Sequence, residues 1–375
     1  MTRVLRIAVV GVGLALGLAQ PLWAQSTTPA ASPAPKPAAT GPVIKVGTTI
    51  FADFTQTTTP TALDAAGHSY HPSAFNITRA YMNITGTLNP VLSFRVTPDI
   101  ARETNTASAL SGSNVMRLKL AYGQVNLDQW SGKFTQTWIR FGLVPIPFVD
   151  GHEAIYRYRF HSALYPEREG LLPSADYGIA LHTALPGGRG DFQVNVMNGE
   201  GYAKAEANDK KSFQGRVSIR PASSSAPEWA RAVKLHVFYD HDHYMFDADK
   251  KRLLVSATVE HKHMNGRVDV MTSRDELTPT SPLAKGKGWS VFVTPFFKEK
   301  GKGPEAFIRI DRFTPDDTKT EQRQFDVVGL AWWWTPAGAG SATALMLNYE
   351  QQTFAHSLTN QPQQRRVVLR TLLNF

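Results

Sequence analysis

The chain of 375 residues lacks three features, and each absence narrows the fold. It has no cysteine, so an exported form has to be stabilised without disulfides. After residue 24 no apolar run reaches the roughly 18–20 residues that a membrane-spanning helix needs. Helical periodicity is also nearly absent. These absences argue against a disulfide-rich secreted domain, a helical membrane protein and a helical bundle.

Recognisable catalytic motifs are lacking as well. There is no Gly-x-Ser-x-Gly elbow, and the glycines of "GVGLALG" have no strand–turn–helix unit around them. We therefore predict that the protein is not an enzyme and binds no cofactor.

Two histidine pairs invite a metal interpretation, because alternate residues of a strand share a face. His241 and His243 form one pair, and His261 and His263 form the other. About ten strand residues, roughly 33 Å, separate the pairs, so all four cannot form one site. "DHDHYMFDADKK" has several acids but lacks the glycine and spacing of a calcium loop. Surface histidines are the favoured interpretation, and no metal site is predicted.

The N-terminus has the pattern of a secretory signal. Arg3 and Arg6 precede an apolar run to about Leu18, and "LWA" at 22–24 is a passable cleavage site. An uncleaved membrane anchor is the alternative. Residues 25–42 are rich in Pro, Ala, Ser and Thr and predict a disordered linker. The ordered domain is therefore expected at 43–375.

The net charge of +9 permits nucleic acid, anionic lipid or small anions as partners. Export of the chain argues against nucleic acid.

Sixteen segments of about ten residues alternate apolar and polar side chains, as in a transmembrane β-barrel. They lie at about 43–55, 75–87, 90–101, 115–127, 136–144, 174–184, 190–199, 211–220, 231–241, 252–262, 265–274, 287–297, 305–314, 322–335, 341–354 and 364–375. Short turns such as "LNP" and "PGGRG" alternate with long polar loops, including 145–173 and 242–251. This two-sided pattern predicts an all-β, antiparallel, up-and-down barrel of about 16 strands.

Aromatic residues form two bands on this trace, as expected at two membrane interfaces. One band, near the short turns, contains Trp138, Trp229, Phe296, Phe297, Trp332, Trp333, Trp334 and Phe375. The other, near the long loops, contains Phe54, Phe75, Tyr239, Trp289 and Phe354. The alternative is that aromatic residues simply favour strands.

If the apolar parity faces lipid, the other parity faces an aqueous lumen, since a charge at mid-membrane costs about 2–4 kcal/mol on the lipid face. This places Met116, Leu118, Leu120 and Tyr122 outward. It gives a basic lumen patch of Arg95, Arg117, Lys119 and Arg140, with further lumen cations at Arg79, Arg216, Arg220, Lys234, Arg267, Arg309, Arg366 and Arg370. Inner acids include Asp53, Asp240, Glu260, Asp269, Asp311, Asp326 and Glu350. Excess positive charge favours anions, unless these cations only pair with the acids and hold the wall together.

The longest loop, 145–173, is dense in aromatic and charged residues. Folding into the lumen would bury its rings and narrow the pore. The predicted constriction residues are Glu153, Arg157, Tyr158, Arg159 and Arg168, and the shared parity of Arg157 and Arg159 would let both face the channel. The alternative is a loop that caps the barrel or packs on a neighbouring subunit.

The last strand, "VVLRTLLNF", presents Val367, Leu369, Thr371, Leu373 and Phe375 to lipid. It is similar to the terminal strands read by the outer-membrane assembly machinery, so Phe375 is a predicted assembly signal.

Three stretches, "IRFGLVPIPFVDGHEAIYRYRF", "LLPSADYGIALHTAL" and "DFQVNVMNGEGY", resemble the phosphate-selective porin O and P family of outer-membrane channels. The resemblance covers most of residues 43–375. It implies sixteen strands, a trimer and an inward-folded third loop. Phosphate selectivity does not carry over, because the family's arginine ladder has no position-by-position match.

The resulting prediction is an outer-membrane porin for passive diffusion of small hydrophilic solutes, leaning to anions, with phosphate as one candidate. Its expected partners are these solutes, outer-membrane lipid, the barrel assembly machinery and two further copies of the chain. A non-conducting adhesive or structural barrel and a soluble secreted glycan-binding β-protein are the alternatives.

Overall fold

The computed structural model describes residues 41–334, 342–355 and 361–375. The predicted signal at 1–24, nearly all of the predicted linker, the turn at 336–340 and most of the loop at 355–363 lie outside the described residues. Among the helices of the described part, none combines the length and apolar character needed to cross a membrane.

Sixteen antiparallel strands close into one barrel, in which each strand pairs with its neighbours in the chain. They are β1 (Val43–Thr59), β4 (Ser73–Thr87), β5 (Leu92–Arg102), β6 (Asn114–Asn126), β7 (Thr135–Pro145), β8 (Ala175–Ala184), β9 (Gly190–Met197), β10 (Ser212–Ile219), β11 (Val233–Met245), β12 (Ala248–His261), β13 (Met264–Asp275), β14 (Ala284–Pro295), β15 (Gly303–Thr314), β16 (Gln322–Trp334), β17 (Ala342–Ala355) and β18 (Gln364–Asn374). Two short strands, β2 (Ala62–Leu63) and β3 (Ser69–Tyr70), pair within the first long loop.

The last strand closes the barrel against the first. Asn374 is opposite Thr49, and Phe375 exchanges two backbone hydrogen bonds with Thr48, of 2.7 and 3.0 Å. The predicted outward stripe of this strand is confirmed: Leu369 is exposed, Phe375 is 69% exposed, and Val368 between the outward positions is fully buried. The predicted closure of the barrel by this strand is therefore confirmed.

All sixteen predicted segments are strands, but the predicted loop at 242–251 is wrong. β11 continues to Met245 and β12 begins at Ala248, so only two residues connect them. Asp247 makes this tight turn possible with a φ of 56°. The polar sequence suggested a loop because the two strands extend beyond the apolar band of the barrel, where their outward side chains are no longer apolar.

A β-bulge in β6 overturns part of the predicted alternation. Thr97 is opposite Leu120 and Pro98 is opposite Leu118, so Lys119 is the extra residue. Met116 and Leu118 are exposed as expected, whereas Leu120 is buried and Tyr122 lies 4.8 Å beneath the Arg140 guanidinium on the inner face.

The predicted aromatic bands need three corrections, because Trp138, Phe296 and Trp333 are buried on the inner side. Trp332 and Trp334 flank Trp333 and are exposed, as strand alternation requires. Asp326 was predicted to be an inner acid, but it lies on the outer face, between the buried Phe325 and Val327.

Candidate functional site

The third long loop, residues 146–174, folds into the barrel, and we call it the inward loop. The amide of Ile146 donates to the Ser174 carbonyl, which closes the base of the loop. Two short helices follow, α1 (Pro147–His152) and α2 (Tyr165–Arg168). Most of its large apolar side chains are buried in one cluster with side chains of the barrel wall. The cluster explains why so aromatic a loop is stable inside the barrel: its rings are removed from water.

One side of the barrel holds this loop, and we call the inner faces of β10–β17 the loop-bearing wall. The main anchor is Glu305, a fully buried carboxylate on β15. It accepts hydrogen bonds from the Arg157 guanidinium at 2.5 and 2.7 Å and from the Tyr158 hydroxyl at 2.8 Å. Trp333 donates its indole N–H to the same Tyr158 hydroxyl at 3.1 Å.

A second anchor is the buried pair Arg309 and Asp311 on β15, joined at 2.8 Å. Arg309 also donates to the Tyr156 hydroxyl at 2.7 Å and to the Ala163 carbonyl at 2.8 Å. Asp311 accepts from Arg168 at 3.0 Å. Since an unpaired buried charge is costly, this network fixes the middle of the inward loop in one position.

The first turn of the inward loop is fixed in the same way. Arg216 on β10 donates to the Pro147 carbonyl at 2.9 Å, and its guanidinium pairs with Asp191 at 2.5 Å. On the other side, Arg140 of β7 pairs with Asp150 at 2.8 Å and stacks 3.7 Å above the Trp138 ring.

The inner faces of β1, β4, β5, β6 and β18 form the opposite side of the barrel interior, and we call them the open wall. The loop touches this wall at Phe160, whose ring centroid lies 6.4 Å from that of Phe51, and leaves space elsewhere. A cavity of 460 Å³ toward the long-loop end lies between this wall and the inward loop. A second cavity of 360 Å³ follows it toward the barrel centre. Both are lined by Thr78, His161, Ser162 and Arg370, so they are neighbouring parts of one space.

The β4–β6 part of the open wall carries more positive than negative charge. Arg79 and Arg117 share the buried carboxylate of Asp99, at 2.5 and 3.2 Å. Arg95 donates to Asn83 at 2.9 Å and to Thr97 at 3.1 Å, both uncharged. Lys119 lies over the rings of Tyr81 and Tyr202, at 5.1 and 5.7 Å. Within the described part of the chain, neither Arg95 nor Lys119 has an ion-pair partner.

The inward loop faces this wall with charges of both signs. Arg159 pairs with Glu153 at 3.1 Å and with Glu167, and the Arg159 side chain lines the inner cavity. His161 lies 3.3 Å from Glu350. Burial lowers the pKa of this loop histidine to about 4, although the Glu350 carboxylate opposes that shift, so His161 is neutral near pH 7.

The predicted constriction residues separate into two groups. Arg159 lines the inner cavity and Arg168 the outer one, and Glu153 is the more exposed partner of Arg159. Arg157 and Tyr158 instead contact Glu305. The Arg157 side chain is 15% exposed and that of Arg159 is 14% exposed, but Arg159 lines the inner cavity and Arg157 contacts the wall, so the expectation that both face the same space is not met. The prediction assumed that alternate residues share a face, which holds in a strand, but these residues belong to a loop.

The predicted lumen cations also separate. Arg95, Arg117, Lys119 and Arg79 lie together on the open wall, whereas Arg140 is committed to Asp150 at the loop base. The remaining lumen cations with carboxylate partners are Arg216 with Asp191, Lys234 with Glu260, Arg267 with Asp269, Arg309 with Asp311 and, on β18 of the open wall, Arg366 and Arg370 with Glu350. Arg220 lies just beyond β10 and donates to the Gly188 carbonyl at 3.1 Å.

Sequence reasoning missed the partners more often than the cations. Glu305, Tyr81, Asn83 and Tyr202 were not among the expected site residues. Glu305 shares its parity with Phe307, Arg309 and Asp311, all buried inward. That shared parity is the signal that identifies Glu305 as an inner carboxylate.

One histidine pair has a third possible metal ligand. The ligand atoms of His241, His243 and Asp249 lie within 4.8 Å of one another at the tip of the β11–β12 hairpin. Lys251 is bonded to the same carboxylate, which opposes metal binding there. His261 and His263 lie at the other end of β12, as expected. The prediction of no metal site stays a prediction.

No family model and no curated protein sequence matches the chain. Solved structures do match it in shape. OmpT of Vibrio cholerae is 10% identical over 90% of this chain and 99% of its own, with a TM-score of 0.58. The anion-selective porin of Comamonas acidovorans is 9% identical over 89% and 100%, with a TM-score of 0.57. The outer-membrane channel DcaP of Acinetobacter baumannii is 9% identical over 90% and 99%, with a TM-score of 0.55. At this identity the comparisons establish the outer-membrane type of barrel fold.

Proposed function

We propose that the protein is an outer-membrane porin through which small hydrophilic solutes diffuse between the inward loop and the open wall. The observation that carries this proposal is the one-sided attachment of the loop. Buried ion pairs hold it on the loop-bearing wall, and cavities of 460 and 360 Å³ lie on the other side. A sixteen-strand barrel is wide enough to enclose water, and a loop fixed on one wall narrows the passage without filling it.

Selectivity in this proposal favours small anions. Arg79, Arg95, Arg117 and Lys119 line β4–β6 against the single carboxylate of Asp99 among the described inner residues of those strands. On the loop side, Arg159 faces Glu153 and Glu167. Fixed positive charge along a narrow aqueous passage attracts anions and repels cations. The anion selectivity named for the similar Comamonas acidovorans porin agrees with this assignment.

We do not extend the proposal to phosphate. The family that the sequence resembles uses a ladder of cations, whereas most inner arginines here are neutralised by a neighbouring carboxylate. Arg267 with Asp269 and Arg309 with Asp311 are two such pairs. A paired guanidinium attracts a passing anion much less than a free one.

Planar bilayers test the channel directly. Purified, folded protein is added to one side, and the current and reversal potential are measured across a tenfold KCl gradient. We expect stepwise increases in current that are proportional to voltage, and a reversal potential whose sign corresponds to a higher permeability for chloride than for potassium. Heat-denatured protein is the control. Folded protein that never conducts would instead support an adhesive or structural barrel, and a potassium-side reversal potential would contradict the anion preference.

The location and the assembly state belong to the same proposal. We expect cleavage after residue 24, recovery of the protein in outer-membrane fractions, and a homotrimer like the trimer form described for Vibrio cholerae OmpT. Amino-terminal sequencing of the membrane-extracted protein and its native mass test these points. A monomeric mass under conditions that preserve folding would contradict the trimer.

Phe375 is proposed as the assembly signal at the end of the closing strand. Its ring is 69% exposed, whereas its backbone already pairs with Thr48. Phe375→Ala removes the ring and keeps that pairing, so we expect several-fold lower surface levels with an unchanged single-channel conductance. Leu373→Ala is the matched control, because it removes another outward apolar side chain of the strand. Equal levels for Phe375→Ala and the wild type would contradict the assignment.

A further inference from the structure

Four cations lie on the outer surface of the barrel, near the long-loop end of β13–β15. We call Arg274, Lys285, Lys287 and Arg312 the outer cationic cluster. They share the outward parity of Val270 and Trp289, both exposed. Arg274 is directly opposite Lys285 in the sheet, and Arg312 is directly opposite Trp289.

Three members of this cluster are unpaired within the part of the chain that the structure describes. In the described part of the chain, the side chains of Arg274, Lys285 and Lys287 make no ion pair and no hydrogen bond. Arg312 alone has a carboxylate partner, Asp326, at 2.6 Å. Like charges opposite each other destabilise a sheet, so the Arg274–Lys285 pair works against folding unless an anion joins it.

Nearby acidic groups do not neutralise the cluster. Asp316 is bonded to Thr318 and pairs with Lys319 at 3.3 Å. Asp317 lies at the edge, where its amide donates to the Lys285 carbonyl, and its carboxylate makes no ion pair with the cluster. The cluster therefore keeps a net positive charge, in contrast to the paired arginines inside the barrel.

An apolar groove of 840 Å³ adjoins the cluster on the same outer surface. Val268, Val270 and Trp289 line it toward the middle of the barrel, Arg312 lines it level with Trp289, and Lys287 lines it toward the long-loop end. The Arg312 guanidinium lies 5.9 Å above the Trp289 ring. Along the strand axis, Lys287, Lys285 and Arg274 thus lie beyond the apolar residues on the long-loop side, as the headgroup of a lipid lies beyond its chains in a membrane.

We propose that this surface binds a lipid with a phosphorylated headgroup, its phosphates on the outer cationic cluster and an acyl chain in the groove. A soluble anion would contact only the cationic cluster and leave the apolar groove empty, whereas an anionic lipid would contact the cluster with its headgroup and the groove with an acyl chain. Cations near a membrane surface each contribute about 1 kcal/mol toward an anionic lipid headgroup. The inference rests on the proposed membrane location and not on conduction.

Native mass spectrometry of detergent-solubilised protein tests the site. The probes are lipid A with two phosphates, dephosphorylated lipid A and inorganic phosphate. We expect the wild type to retain diphosphorylated lipid A at least about tenfold better than the dephosphorylated form. Lys285→Gln with Lys287→Gln should weaken that retention about tenfold or more, because two charges are lost.

The matched control is Lys133→Gln with Arg231→Gln, which removes two exposed cations near the short turns and should leave lipid retention unchanged. Heat-modifiable gel mobility confirms that each variant is folded. Equal retention of dephosphorylated lipid A would overturn the inference. Displacement of the lipid by equimolar inorganic phosphate would also overturn it. So would unchanged lipid retention in the Lys285–Lys287 variant, or a mass spectrum in which that variant loses protein subunits while it keeps the lipid. The single-channel conductance of the Lys285–Lys287 variant distinguishes failure of this inference from failure of the proposed function. Both residues lie outside the proposed passage, so this conductance should stay at the wild-type value.

Discussion

The two sides of the barrel interior use the same residue types for different purposes. On the loop-bearing wall, Arg309 is fully buried and paired with Asp311, and the loop's own Arg157 is paired with Glu305. On the open wall, Arg79 and Arg117 are about one-third exposed and share Asp99. Arg95 and Lys119 have polar or aromatic neighbours only, within the described residues. For these cations, coverage by the inward loop goes with a carboxylate partner, and its absence goes with a side chain that keeps access to the cavities.

The difference has an energetic basis. A buried guanidinium loses its hydration and needs a carboxylate in contact, so removing one partner costs about 3–5 kcal/mol. A cation that keeps access to water needs no such partner, and its removal costs little stability. The loop-bearing wall should therefore respond to mutation mainly in stability, and the β4–β6 part of the open wall mainly in ion selectivity.

The largest expected effect is at the loop anchor. Glu305→Gln leaves the Arg157 charge buried beside a neutral side chain, which should lower the free energy of unfolding by about 3–5 kcal/mol. The freed loop should also raise single-channel conductance or its noise. Urea unfolding in detergent and bilayer recordings measure both.

Glu299→Gln is the control for this anchor, because Glu299 is exposed in the neighbouring turn and pairs only with Lys302 among the described residues. Its unfolding midpoint should match the wild type. If Glu305→Gln also unfolds at the wild-type midpoint, the ion pair does not hold the loop.

The next effect concerns selectivity. Arg95→Gln with Lys119→Gln removes two charges from the open wall, neither of which has an ion-pair partner in the described structure. We expect the reversal potential in a KCl gradient to move toward potassium, with a change in unfolding free energy below about 1 kcal/mol.

Lys262→Gln is the comparison for this variant, since it removes an exposed cation at a short turn. It should leave the reversal potential unchanged. Equal shifts in the two variants would mean that the open wall does not control selectivity.

The smallest effect tests a single hydrogen bond of the loop-bearing wall. Trp333→Phe keeps an aromatic ring and deletes the indole N–H that donates to Tyr158. We expect a loss of about 0.5–1.5 kcal/mol in unfolding free energy and no change in reversal potential. A selectivity change larger than that of the Arg95–Lys119 variant would contradict the division between the two walls.

Much of the fold was predictable because strand alternation is a local signal. The sixteen strands, the closing role of "VVLRTLLNF" and the inward loop all followed from residue patterns. The outward placement of Leu120 and Tyr122 did not hold, because one extra residue at Lys119 reverses the alternation beyond it. A bulge depends on the partner strand, which a single strand's pattern does not include.

The site was less predictable than the fold. Parity identified Arg267 and Arg309 as inward, but their neutralisation by Asp269 and Asp311 depends on rotamers and on the loop above them. The sequence showed that Arg157 and Arg159 alternate, yet Arg157 contacts the wall and Arg159 the cavity. The path of the inward loop, which sets these environments, arises from contacts with residues about 150 positions away.

The absence of cysteine allows the most direct test of the two-wall account. Ser162 lines both cavities, whereas Ser256 is buried on the loop-bearing wall and donates to Asp269 at 2.6 Å. Single-channel conductance of Ser162→Cys and Ser256→Cys is measured before and after a charged, water-soluble thiol reagent. We expect the reagent to reduce the conductance of Ser162→Cys and to leave the conductance of Ser256→Cys unchanged. Block at Ser256→Cys, or an unmodified current through Ser162→Cys, would contradict it.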